Sequence, residues 1–83
     1  MKERQKVFEI LNRANELSKS YFDMNINTEE DFKIITDLGE EIIDKSDYFF
    51  GKNSKESKLS KQITKLVLDY LIEVEKERKS KWV

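Results

Sequence analysis

The chain has no cysteine, no histidine and no proline, and only two glycines in 83 residues. Without cysteine there are no disulfides, no thiolate nucleophile and no Cys-ligated zinc, and without histidine the commonest general base and metal ligand is gone. The shortage of Pro and Gly removes the turn residues that an all-β fold needs at each hairpin. No apolar run approaches the roughly 18 residues of a membrane span. The opening Met1-Lys2-Glu3-Arg4-Gln5-Lys6 is charged, with no apolar leader segment behind it. These absences predict a non-enzymatic chain with no cofactor and no metal, not placed in a membrane, held by packing alone and cytoplasmic.

What is present is charge and periodicity. Apolar residues make up 37% and charged residues 40% of the chain, too apolar and too periodic for disorder. Eighty-three residues make one domain, 1–83, and a domain of this size buries only roughly 60–65% of its unfolded surface. The net charge of −1 selects no partner, but its distribution is uneven. Residues 1–27 hold five Lys/Arg against four Asp/Glu, residues 28–51 two against eight, and residues 52–83 nine against five. An acidic middle and a basic end invite either each other or separate partners.

Three apolar stripes at helical spacing define the architecture. Val7, Phe8, Ile10, Leu11, Ala14, Leu17, Tyr21 and Phe22 share one broad side of a helix over about 3–22. Turn-forming residues from Asp23 to Thr28 end it, and Asn27 with Glu30 reads as a capping pair that starts a second helix over 28–50. Its stripe is Phe32, Ile35, Leu38, Ile42, Ile43, Phe49 and Phe50, and Gly51 sits where a left-handed residue ends a helix. Gly39 falls beside that stripe, which points to a close helix approach. Asn53 with Glu56 repeats the starting pattern for a third helix over 54–79, Ser57 and Ser60 being alternative caps of a shorter one. Short connections make this all-α chain an antiparallel three-helix bundle of long helices, with self-association left open.

The third helix carries the candidate site. Leu59, Ile63, Leu66, Val67, Tyr70, Leu71 and Val74 read as its core stripe, and Leu68 and Ile72 fall roughly 140–180° away. Lys61, Lys65 and Lys76 flank those two, giving an apolar centre in a basic surround, the layout of a protein interface. The same residues are also accounted for if a wider bundle or a second copy covers them. Trp82 near the end of the chain either joins this surface or folds back to seal the bundle. Phe49 and Phe50 read as core and Tyr48 as pointing away. A second surface is an acidic ridge of Glu30, Asp37, Glu40, Glu41 and Asp44 on the second helix, which is either a solvated face or a seat for a basic partner.

The function these features predict is stoichiometric binding to a larger protein, as an inhibitor, antitoxin-like factor or regulatory subunit would act. One alternative is a nucleic-acid accessory protein contacting phosphates through Lys52, Lys55, Lys58, Lys61 and Lys65. The other is a structural homo-oligomer, a homodimer in its simplest form.

Overall fold

A computed structural model of the chain describes residues 2–26 and 28–80, the side chain of residue 80 excepted. Three long helices pack on one another as a bundle: α1 (Glu3–Asp23), α2 (Glu29–Phe50) and α3 (Lys55–Ser80). No strand occurs among the described residues, and no helix among them is long and apolar enough to cross a membrane. The body is elongated, 48 × 19 × 16 Å.

Cross-helix pairs set the register. Lys55 donates to Glu3 at 3.0 Å and Tyr21 to Glu75 at 2.6 Å, separations of 52 and 54 residues, so α1 and α3 run parallel. On the other side Glu29 pairs with Lys79, Ser46 with Ser60 and Asp47 with Lys61, so α2 runs antiparallel to α3. The chain goes up, down and up.

The helix starts differ by one residue from the Asn-led pattern. The Thr28 hydroxyl accepts the N–H of Asp31 at 3.1 Å, so Thr28 is the cap of α2, and Asn27 lies outside the described residues. Ser54 does the same for α3, accepting from Ser57 N–H at 3.0 Å, while Asn53 adopts φ 60° in the connector. A short hydroxyl reaches the N3 donor from the N-cap as well as an amide does, and Asn tolerates the left-handed backbone that the turn needs. Gly51 ends α2 at φ 98°, its N–H donating to Asp47 C=O at 2.9 Å.

The core is narrower than the apolar stripes. Its buried apolar residues are Ile10, Ala14, Leu17 and Tyr21 of α1, Ile26 of the first connector, Ile35 and Phe50 of α2, and Leu68 and Leu71 of α3. Phe32, Leu38, Ile42, Ile43, Val67 and Val74 pack against it half-buried. Phe50 closes the core as expected, whereas Phe49 stays at the surface with the Arg13 guanidinium 3.7 Å over its ring, and Tyr48 is exposed.

Two features left over by periodicity account for one another. Leu68 is buried, and it fills the notch left by Gly39: a Cβ on Gly39 would stand 2.5, 2.7 and 2.8 Å from the Leu68 side-chain carbons. Small residues continue that seam toward the other end, where Ser46 faces Ser60 with their hydroxyls 2.8 Å apart and Ser57 and Thr64 are buried beside them. Helices that meet through Gly and Ser approach closely, and the side chains with volume turn elsewhere.

Candidate functional site

The inward face of α3 is thus lined by Ser57, Ser60, Thr64, Leu68, Leu71 and Glu75, all buried, with Ser60 and Leu68 meeting α2 and Glu75 meeting Tyr21 of α1. The outward placement of Leu68 is corrected by this packing, and Ile72, half-buried, follows it into the α2 side of the helix. Lys61 is drawn to the same seam by Asp47, 3.1 Å away. Lys65 is exposed, and Lys76 is exposed and 3.7 Å from Glu73 on its own helix. Trp82 lies outside the described residues. Leu68, Ile72 and the three lysines therefore do not form one outward patch with an apolar centre.

The rotation that buries Leu68 exposes the opposite part of the expected stripe. Leu66 is 67% and Tyr70 62% exposed. With Ile63 and Val67 they line one side of a groove of about 380 Å³ whose other side is Leu11, Ala14, Asn15 and Ser18 of α1. Toward the N-terminal end of both helices the seam opens into a second hollow of about 420 Å³ between Val7 and Leu59, with Glu3, Lys55, Glu56, Lys58 and Gln62 around it. Because α1 and α3 run parallel in constant register, the two hollows follow one line. Phe22 lies one and three helical turns beyond Ser18 and Leu11 on the same flank of α1. Phe8 borders the α1 side, 66% exposed.

Among the described residues nine large hydrophobic side chains are exposed: Val7, Phe8, Leu11, Phe22, Ile34, Tyr48, Phe49, Leu66 and Tyr70. Six of them, Val7, Phe8, Leu11, Phe22, Leu66 and Tyr70, belong to this α1/α3 face. Periodicity placed all six in the core. The signal that separates them is arc width: the apolar residues of α3 from Leu66 round to Ile72 cover about 240° at about 100° per residue, more than one small core can take in.

No family model matches the chain, and no curated protein or solved structure is significantly similar to it. The reading of the face therefore rests on its chemistry.

Polar groups elsewhere in the bundle are spent on one another. At one end the Tyr21 hydroxyl donates to Glu75 at 2.6 Å and accepts from Arg78, whose second nitrogen donates to Ile26 C=O, both at 3.4 Å. Burial first, then the Glu75 contact, pushes the Tyr21 phenol above its usual value. At the other end Asp47 accepts from the Ser57 hydroxyl and from Lys61, and these two bonds, the Ser57 one first, hold its carboxyl below the usual range. No buried side-chain polar atom among the described residues lacks a partner. These clusters tie helices together at fixed register.

The acidic ridge is where periodicity puts it. Glu30, Asp37, Glu40, Glu41 and Asp44 are all exposed on the outer side of α2, and Lys45 holds Glu41 at 2.6 Å, which lowers the Glu41 pKa. Among the described residues no three His, Cys, Asp or Glu side chains are grouped so as to hold a metal ion.

Proposed function

We propose that this chain is a non-catalytic interaction module whose binding surface is the apolar α1/α3 face. The observation that carries the reading is the imbalance in burial: among the described residues nine apolar residues are fully buried and nine large hydrophobic side chains stand exposed, six of them along one seam. A monomeric protein rarely exposes a contiguous apolar patch beyond a few hundred Å², and larger ones mark association sites. Polar residues such as Asn15, Lys58 and Gln62 border the seam, the arrangement of an apolar centre within a wet rim. Association through this face takes the place of association through the Leu68 side of α3, which is buried.

The nucleic-acid alternative loses support, because Lys55 and Lys61 of its five lysines are committed to Glu3 and Asp47. A photo-crosslinking amino acid placed at Leu66, and in a control at Lys33 on the outer side of α2, tests the proposal in the source cell. Protein adducts are expected from position 66 and few from position 33. Equal or absent crosslinking at the two positions would overturn it.

A further inference from the structure

The occupant of the α1/α3 face can be named from its size and its charge, given the reading of that face as a binding surface. We infer that it is a second copy of this chain, packed face to face about a two-fold axis with its helices antiparallel to those of the first.

An aromatic side chain covers about 150–250 Å² when buried, so Phe8, Phe22 and Tyr70, each about 60% exposed, present roughly 350 Å² together. Val7, Leu11 and Leu66, between 42 and 67% exposed, add roughly 200 Å² at the ~25 cal/mol per Å² that corresponds to a buried aliphatic side chain. Each copy thus offers about 550 Å² of apolar side chain, and two copies bury over about 1,000 Å² before any rim residue is included, the size at which specific interfaces begin. Nine fully buried apolar residues among those described, with further ones half-buried against them, make a small core for a chain with no disulfide, and oligomerisation is one of the few ways such a chain completes its burial. Pairing this face on itself places α1 and α3 of each copy around a second core, a four-helix arrangement with ordinary packing.

Charge selects the antiparallel orientation. At the end where both helices begin Arg4 and Lys58 stand exposed, while Lys55 is paired with Glu3 at 3.0 Å and Glu56 lies beside them. At the far end Glu73, which has Lys76 at 3.7 Å, and Glu77 continue the Leu66–Tyr70 strip of α3, one helical turn and two beyond Tyr70, and both are exposed. A two-fold axis across the middle of the groove brings the basic end of one copy to the acidic end of the other, whereas a parallel pairing sets like charges together. The patch is self-complementary only in the antiparallel form.

Sedimentation equilibrium on the purified full chain tests this. An interface of about 1,000 Å² lies at the small end of specific ones, so the test is made at about 100 μM, where the wild-type protein is expected at twice its 10.0 kDa chain mass. Leu66→Glu and, separately, Tyr70→Lys are expected to return the mass to one chain with helical circular dichroism unchanged, since both side chains are outside the core. Tyr48→Lys, on the outer side of α2, is expected to stay dimeric. A wild-type monomer at that concentration would overturn the inference, as would a dimer that survives both groove variants. A monomer whose position 66 still crosslinks to other proteins in the cell would sink the dimer and leave the interaction reading standing. Absence of crosslinks as well would sink both.

Discussion

Replacing Gly39 with alanine sets two known effects against each other. Glycine inside a helix costs about 1 kcal/mol relative to alanine, so in a helix with open space the change stabilises. Here the new methyl would stand 2.5 to 2.8 Å from three carbons of Leu68, one of them the branch carbon, and Leu68 is itself buried. Relieving such overpacking typically costs about 1–3 kcal/mol. The balance is a net loss near 1 kcal/mol, a fall in Tm of roughly 4–8 °C for a domain of this length. The sign should reverse when Leu68 is shortened. Leu68→Ala alone is expected to cost about 2–5 kcal/mol by opening a cavity, and in that background Gly39→Ala fills part of the void and restores helix propensity, a gain of about 1 kcal/mol or more. Urea unfolding of the four proteins, at one protein concentration so that self-association is held constant, measures the coupling. If Gly39→Ala stabilised the wild-type background, or destabilised the Leu68→Ala one, the close approach of α2 and α3 at this point would be refuted.

Leu68→Asp, which an exposed position would tolerate, is expected to abolish most helical circular dichroism at 25 °C, because a buried carboxylate costs several kcal/mol in a domain whose whole stability is about 4–12 kcal/mol. The Asp47 carboxyl is held below its usual range in the folded state, so its contribution is present above its unfolded pKa of 3.8 and is lost as pH falls through the lower folded value. Asp47→Asn should therefore lower stability at pH 7 and flatten the acid limb below about pH 4, read by thermal melts across pH. Thr28→Ala and Ser54→Ala should each cost about 1 kcal/mol as lost helix caps, measured by denaturant titration, and an equal effect from Asn53→Ala would contradict the assignment of Ser54.

Much of the candidate site could be read from residue order in one respect and not in another. The apolar residues of α3 form too wide an arc for a three-helix core, and that surplus is visible in the spacing of Leu66, Tyr70, Leu68 and Ile72 alone. Which edge of the arc is left outside is not. Counting large residues puts the centre of the buried face near Ile63, Val67 and Tyr70, since small polar residues such as Ser57, Ser60 and Thr64 carry no weight in such a count. In the folded chain these small residues are the buried ones: Ser60 meets Ser46 and Ser57 meets Asp47 on α2, in the same seam where Leu68 fills the space beside Gly39.

Local chemistry settled the rest. Three helices, the starts of α2 and α3 to within one residue and the stop at Gly51 follow from side chains acting within a few positions of themselves, so they are legible in order alone. The pairings of Gly39 with Leu68 and of Ser46 with Ser60 join residues far apart in the chain, and no periodicity within one helix reports them. Those contacts set the rotation of α3. They turn Leu68 inward, turn Leu66 and Tyr70 outward beside Leu11, and so move the unpartnered apolar surface from the α2 side of the helix to the α1 side.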